Sequence, residues 1–409
     1  MQDTALYEKL LGIETPWSVT RVAMDVEAGR VDVWADHPDR HLWPCPECQS
    51  SLSCRDHAPE RVWRHLDSCQ FQTFLHARIP RVDCPEHGVR QVEIPWAEAR
   101  SRFTLLMERW VIEVLLQCAT VQGACRLLGL KWDAVWGILR RSVERGQARK
   151  EVTVIARYGV DEKAFKRGHR YMTVVCDLDK ATVEYVAEDR TTASLEAFWA
   201  SLTPAQREGV ECVTMDMWQA YQTATEKQIP DAASKIVFDR FHIMQHMVDA
   251  VDKVRREEHK ALSGQGDETL KGTRQLWLFN EKNLSDSRRA TLKELKTLNL
   301  KVARAWAMKE SLRGLWDYLC PTWARRFFDR WYAWASRSKL KPIEKVAEML
   351  KNRLDNILTY CTHRITNATA EGINSKIMAI KRRAGGYRNP DHFKIAIYFF
   401  CGGLDLHPR

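Results

Sequence analysis

The run VTVIARYGVD at residues 152–161 is a β-branched strand pattern that ends on a carboxylate, Asp161. Two later runs repeat the arrangement: VECVTMD at 210–216 ends in Asp216, and KIVFD at 235–239 ends in Asp239. Between the first and the second lie YMTVVC (171–176) and TVEYV (182–186), both short and apolar. A helix pattern follows over 191–202, with Thr191 or Thr192 as its cap. The order is therefore three strands, a helix, a strand, a helix and a strand.

Three strands joined by tight turns, followed by alternation with helices, is the order of an RNase H-like α/β fold. In that fold the first and fourth strands lie side by side, so Asp161 and Asp216 converge. One strand ending in Asp means little, because Asp favours turns. Two acids on adjacent strands repel each other unless a divalent cation neutralises them. Mg²⁺ or Mn²⁺ accepts an all-oxygen ligand set and keeps water positions open. A pair of such ions activates a nucleophile and stabilises a leaving 3′ oxygen in phosphoryl transfer. Asp177, Asp179 and Glu162 are close enough in sequence to compete with Asp161.

A third carboxylate is expected from a later helix, and RITNATAEGINSK at 364–376 supplies Glu371. Thr366 or Asn367 is read as its cap, and Asn367, Glu371, Asn374 and Met378 share one face. A polar face with an embedded Glu is an odd choice for a helix that only packs. Glu344, Glu348 and Asp355 are rivals on an amphipathic stretch that reads as structural. The Glu371 helix runs into Lys376, Lys381, Arg382 and Arg383, then Gly385-Gly386-Tyr387-Arg388, a basic run suited to a DNA backbone. The catalytic core is thus expected in two parts, 151–245 and 364–409, interrupted by an all-helical insertion over 246–363. The aromatic residues of that insertion, among them Trp277, Trp306, Trp316, Trp323, Phe327, Phe328, Trp331 and Trp334, read as packing. The sharper alternative is an exposed Trp that stacks on a flipped base near the cut.

Residues 1–100 carry clustered Cys and His. Cys45-Pro46-Glu47-Cys48 and Cys84-Pro85-Glu86-His87-Gly88 are matched knuckles, each offering two ligands from one tight turn. A tetrahedral Zn²⁺ site needs such paired soft or borderline ligands, which predicts a zinc ribbon over about 43–90 with Cys45, Cys48, Cys84 and His87 on the metal. The alternating run 70–82, with Phe71, Phe74 and Ile79, reads as the strands between the knuckles. Cys54, His57, His65 and Cys69 are rival ligands without a comparable knuckle.

Residues 101–150 read as a helix-turn-helix. A stripe of Leu105, Leu106, Val111, Leu115 and Leu116 marks the first helix, Thr120 caps a second over 121–128, Gly129 turns, and a third runs over 131–145. Ala124, Leu128, Leu130, Val135 and Ile138 supply the core. Lys131, Trp132 and Asp133 lie at the groove-facing end, and Arg140 and Arg141 are placed to meet phosphates.

The bulk numbers fit a multidomain α+β protein. The chain has 409 residues, 45% hydrophobic and 28% charged, with a formal charge of +10 that permits phosphate binding without requiring it. No leader-like segment opens the sequence and no run approaches a membrane helix, so an intracellular, cytoplasmic protein is expected, with no membrane partner. Twelve Cys in a reducing compartment read as metal ligands or buried thiols.

These motifs together resemble the bacterial insertion-sequence transposases of the ISL3 family along nearly the whole chain. The matching pieces are both knuckles, the helix-turn-helix at 120–143, Gly159-Val160-Asp161-Glu162, Met215-Asp216-Met217-Trp218-Gln219-Ala220-Tyr221, Phe238-Asp239-Arg240-Phe241-His242, and Asn367-Ala368-Thr369-Ala370-Glu371-Gly372-Ile373-Asn374. The resemblance implies a DDE transposase whose metals sit on Asp161, Asp216 and Glu371, and which binds the inverted repeats of its element. Family members often end the second knuckle in Cys, where this chain has His87. Asp239 and His242 are expected to support the site from behind, with His242 as a helix cap or packing residue in the blander view. Two DNA ends must be processed together, which implies at least a homodimer on DNA. The alternative is a zinc-ribbon and helix-turn-helix DNA-binding regulator without catalysis. A nuclease that cuts without joining is a third.

Overall fold

A computed structural model of the chain describes residues 3–166, 170–365 and 368–409. It divides into two compact units: Met1–Lys150 with Ile380–Gly386 and Tyr398–Arg409, and Glu151–Ala379 with Tyr387–Ile397.

The first unit opens with eight strands: β1 (Ser18–Asp25), β2 (Arg30–Asp36), β3 (Leu42–Pro44), β4 (Ser51–His57), β5 (Arg61–Arg64), β6 (Gln72–Ala77), β7 (Pro80–Cys84) and β8 (Gly88–Gln91). They form two four-stranded sheets, ordered β1-β2-β6-β5 and β3-β4-β7-β8. The second is the zinc ribbon, built from the hairpins β3-β4 and β7-β8 with one knuckle at each turn. The alternating run 70–82 is therefore split, contrary to the expectation that all of it joins the knuckles. Its first half, β6, pairs in parallel with β2 in the other sheet, and only β7 enters the ribbon. The core of Trp17, Trp43, Trp63, Trp96, Val31, Val33, Leu75 and Ile79 draws on both sheets, so period-two alternation alone could not assign the partner.

Three helices complete the helix-turn-helix: Leu105–Cys118, Val121–Leu128 and Trp132–Ala148. Thr120 caps the second by accepting from the Gly123 amide at 3.0 Å. A Cβ at Gly123 would stand 2.8 Å from that hydroxyl, which explains the glycine in the first turn. Gly129, at φ 62°, ends the helix in the left-handed conformation that glycine adopts without strain. The first helix is rotated relative to its expected stripe. Leu106 and Leu116 are exposed, and Met107, Val111, Ile112, Val114 and Leu115 face inward. The cause is Glu108, which is fully buried between Ser101 and two arginines of the third helix, Arg141 and Arg145.

The second unit carries β9 (Arg157–Lys166), β10 (Arg170–Asp177), β11 (Thr182–Glu188), β12 (Cys212–Met215) and β13 (Ile236–Phe238). Their order is β11-β10-β9-β12-β13, antiparallel across the first three and parallel from β9 through β12 to β13. First and fourth strands are thus neighbours. The first strand does not end at Asp161 as its β-branched run implies; it starts at Arg157 and continues past that residue. The pairing of β12 begins at Cys212↔Arg157, so residues 152–156 have no ladder partner. The β-branched Val154 packs instead over Gly209.

Helices Thr192–Ser201 and Gln219–Gln228 follow in the alternating order, the former capped by Thr191. A helix of 24 residues, Arg240–Ser263, starts directly after β13 and opens an all-helical stretch that runs to His363. Trp277, Trp306, Trp316, Phe328 and Trp331 are core there, as the packing reading expects, while Trp323 and Trp334 are exposed. Among the described residues, no helix is long and apolar enough to cross a membrane.

Candidate functional site

Asp161 lies mid-strand in β9, opposite Val174 of β10, and is buried. Its Oδ1 accepts from the Glu162 amide at 2.7 Å, and its Oδ2 is 3.7 Å from the Lys163 ammonium. Asp216 is the first residue beyond β12, on the strand beside β9. Its Oδ1 accepts from the Met217 amide at 2.6 Å, and its Oδ2 is 3.8 Å from Nδ1 of His242. Asp239 stands at the end of β13. It caps the helix Arg240–Ser263 by accepting from Phe241 N at 3.0 Å, and its own amide donates to the Met215 carbonyl at 2.9 Å. His242 thus bridges two acids, since its Nε2 is 3.8 Å from Asp239 Oδ2. Sequence alone left this ring a choice between support and packing; its two nitrogens face two carboxylates.

Glu371 is in the first turn of the helix Ala368–Arg383 and is exposed. Its carboxyl is pushed up by partial burial and by the charges of Asp239 and Asp161, offset by His242 and Lys163. The acids therefore share one electrostatic neighbourhood, and Asp239 contributes more to it than Asp161. Asn374, one turn on from Glu371, is 4% exposed. Its Nδ2 donates to Oδ2 of Asp161, while its Oδ1 is buried without a hydrogen-bond partner. The helical spacing had placed Asn374 on the Glu371 face, but nothing in the sequence could show which strand that face meets. Asn367, expected on the same face, and Thr366 lie outside the described residues. A cavity of about 530 Å³ opens beside Asp239 and Glu371, walled by Phe241, Met244, Leu278 and Phe279 with Arg240 and Arg313.

The rival acids have other occupations. Asp177 accepts from the Asp179 and Lys180 amides in the β10–β11 turn, and Asp179 pairs with Arg157. Glu162 pairs with Arg190, Glu348 accepts from the Tyr332 hydroxyl, and Asp355 pairs with Arg325.

The knuckles form the other centre. Cys45, Cys48, Cys84 and His87 bring one ligand atom each within 4.8 Å of one another, the one such set of three or more among the described residues. Sγ of Cys84 is 3.6 Å from Cys48 Sγ and 3.5 Å from His87 Nδ1, near the edge lengths of a tetrahedron with Zn–S bonds of about 2.3 Å. His87 thus offers Nδ1 as the fourth donor atom of the set. Gln49 and Gly88, each just after the second ligand of its knuckle, both have positive φ (61° and 66°), so the two turns share one backbone form. Hydrogen bonding from Ser50 lowers the Cys48 thiol to about 6, which favours the thiolate a metal needs. Of the rival ligands, His65 is taken by the Thr104 hydroxyl at 2.9 Å and held down to about 4 by burial, and Cys54 and His57 lie apart from the cluster beside His37.

The basic candidates divide. Lys131 and Trp132 open the third helix of the helix-turn-helix and are exposed, and the Trp132 ring stacks on Trp136 at 5.4 Å. Arg140 is exposed, 3.7 Å from Glu144. Arg141 is a correction: its guanidinium is committed to the buried Glu108, where a phosphate contact had been expected. Lys376, Arg382, Arg383 and Arg388 are exposed and Lys381 is half-buried. Tyr387 packs on Phe393 at 5.0 Å, and burial pushes its phenol up to about 12, so its ring serves the core.

Comparison with known proteins gives a consistent set of likenesses. Residues 158–397, more than half of the chain, match the transposase profile of the ISL3 DDE domain. Residues 92–143 match the helix-turn-helix domain of transposase family ISL3, and residues 41–87 the zinc-finger of transposases IS204, IS1001, IS1096 and IS1165. The transposase for insertion sequence element IS1001 of Bordetella parapertussis is 29% identical over 401 residues, covering 97% of this chain and 98% of the relative. The transposase for insertion sequence element IS1557 of Mycobacterium tuberculosis is 26% identical over 419 residues, covering 95% and 94%.

Proposed function

The chain belongs to the ISL3 transposase family, with a zinc ribbon, a DNA-binding helix-turn-helix and a DDE domain, and from that premise we propose that it binds the terminal inverted repeats of its own element and carries out metal-dependent strand cleavage and strand transfer. The observation that carries the reading is the pair of acids leaving adjacent parallel strands, Asp161 on β9 and Asp216 after β12, with Glu371 under the charge of Asp161 and Asp239.

Asp161, Asp216 and Glu371 are the residues to hold Mg²⁺ or Mn²⁺. The donors fit: they are all carboxylate oxygens, burial and the charges of Asp239 and Asp161 raise Glu371, and among the described residues the buried Asn374 Oδ1 lacks a partner at the same place. A cation bound there neutralises the acids and acts as a Lewis acid on the phosphoryl oxygens. Asn374 fixes the orientation of Asp161 through its Nδ2, and His242 does the same for Asp216 and Asp239.

In the proposed reaction a water oxygen attacks the phosphorus at the end of the element, and the 3′ oxygen leaves as a free hydroxyl. That hydroxyl then attacks a phosphodiester of the target, joining the element to it and releasing a second 3′ hydroxyl. A covalent protein intermediate is unnecessary, since no activated Ser or Tyr stands out. Lys131 and Trp132 enter the major groove and Arg140 meets phosphate, while Lys376, Lys381, Arg382, Arg383 and Arg388 follow the backbone near the cut. At least a dimer assembles on DNA, because two ends react together.

The test is labelled DNA bearing the ends of its own element, incubated with Mg²⁺ or Mn²⁺ and with either the wild-type chain or Asp216→Asn. Metal-dependent cleavage at the ends, lost in the variant, supports the reading. Sequence-specific binding without cleavage in any metal transfers support to the regulator.

A further inference from the structure

Five lysines converge on one hollow of about 530 Å³ in the all-helical stretch, and none of them is among the residues assigned above. Lys253 comes from the helix Arg240–Ser263 and Lys301 from the start of the helix Lys301–Leu312. Lys339 lies in the turn before the helix Lys341–Lys351, and Lys341 and Lys345 on that helix. All five are exposed, and none has a carboxylate within ion-pair distance among the described residues. Elsewhere in the same stretch cations do find acids: Arg255 pairs with Asp252, Lys296 with Glu281 and Arg325 with Asp355.

Two glutamates also line the hollow, and Glu258 has a second role. Its carboxylate accepts from the Lys301 and Val302 amides at 2.7 and 2.8 Å, capping the helix Lys301–Leu312. The carboxylates of Glu257 and Glu258 together set two negative charges against the five positive ones.

The positions of these lysines are themselves unfavourable. Lys301 and Lys341 are the first residues of their helices, where the positive end of the helix dipole disfavours a cation. Lys341 and Lys345 are a like-charge pair four residues apart on one helix. Leu340, before Lys341, offers no side-chain cap. Like charges gathered around a concavity favour an anion, most of all at the uncapped start of the helix Lys341–Lys351.

We infer that this hollow seats the phosphodiester backbone of duplex DNA, giving the helical stretch a DNA contact separate from the helix-turn-helix and the carboxylates. Charges on three elements offer separate contacts to a chain of phosphates, where a single small anion would engage one or two of them. The inference rests on the transposase reading, since that reading brings long DNA to the protein.

The experiment measures DNA affinity of the full-length chain against salt, for wild type and for Lys339→Gln/Lys341→Gln/Lys345→Gln, by fluorescence anisotropy with a duplex carrying the element's end. Each lost phosphate contact reduces the slope of log affinity against log salt by about 0.9, so the triple variant should be shallower by roughly 2 to 3. An unchanged slope overturns the inference and leaves the transposase reading standing. A wild-type chain that binds no duplex at low salt overturns both. Thermal stabilisation of the wild type by inorganic phosphate, lost in the variant while the DNA slopes agree, overturns DNA as the occupant. Should the triple variant fail to fold, acetylation of wild-type lysines decides: protection of Lys339, Lys341 and Lys345 by DNA supports the site, and equal labelling with and without DNA overturns it.

Discussion

The four ligand atoms of the knuckles lie within 4.8 Å of one another, whereas Asp161, Asp216 and Glu371 do not reach that spacing. Asp161 is held by Asn374 and Asp216 by its neighbouring amide, with His242 3.8 Å away, and Glu371 is pushed up by burial and then by Asp239 and Asp161. Each knuckle spans only four residues, so hairpin turns alone can gather its two side chains. Carboxylates repel, so a fold can bring them to one place but not into contact without a countercharge. The Cys and His cluster is thus gathered by its own turns, and the acids are brought near one another by strands and a helix distant in sequence.

The harshest way to break this contrast is to strip the zinc. Chelation, or Cys84→Ser, should unfold the ribbon, because structural zinc contributes on the order of 10 kcal/mol in small zinc modules. Zinc content and far-UV circular dichroism measured together check it; a ribbon that keeps its fold after zinc loss erases the distinction. Asp216→Asn should act oppositely. Cleavage falls by about 10³-fold or more, while the metal-free melting temperature stays level or rises, since one repelling charge is gone. A large drop in stability would mean that Asp216 is structural.

Glu108 supplies an internal control, as a buried acid whose countercharges come from Arg141 and Arg145. Glu108→Gln should destabilise the helix-turn-helix by about 3 kcal/mol, seen in urea titrations, because Arg141 loses its acid and Arg145 keeps only Glu98. Tolerance of that change would show that burial alone does not commit an acid to structure here. The smallest effect expected is that of Asn374→Ala, a ten- to hundredfold weaker affinity for Mn²⁺ at the acidic site, read by calorimetry. Zinc content should be unaffected. Unaltered Mn²⁺ affinity would remove Asn374 from the site.

Much of this organisation was legible because the relevant signals are local. Knuckles, caps and strand-borne acids each need a particular residue at a fixed short offset. Thr120, Gly123 and Gly129 define the helix-turn-helix turn through their own backbone bonds, and Cys45 to Cys48 spans a single turn. Where the expectation failed, a partner distant in sequence decided the outcome. Arg141 reads as a free surface cation until Glu108, 33 positions away, is seen buried beneath it. The alternation over 70–82 is correct as strand, yet period two does not say which sheet a strand joins. The run 152–161 was placed too early because register is set by β10 and β12, not by β-branching.

By itself, then, the sequence determined most element types, the two knuckles whose Cys and His side chains cluster, and the identity of the strand-borne acids. Propensity, capping and turn chemistry act over a few residues and are written where they act. Only the tertiary structure decided that Asn374 meets Asp161 across 213 positions, that His242 faces both Asp216 and Asp239, and that five scattered lysines share one hollow. Those juxtapositions depend on long-range packing and electrostatics, which no local pattern encodes.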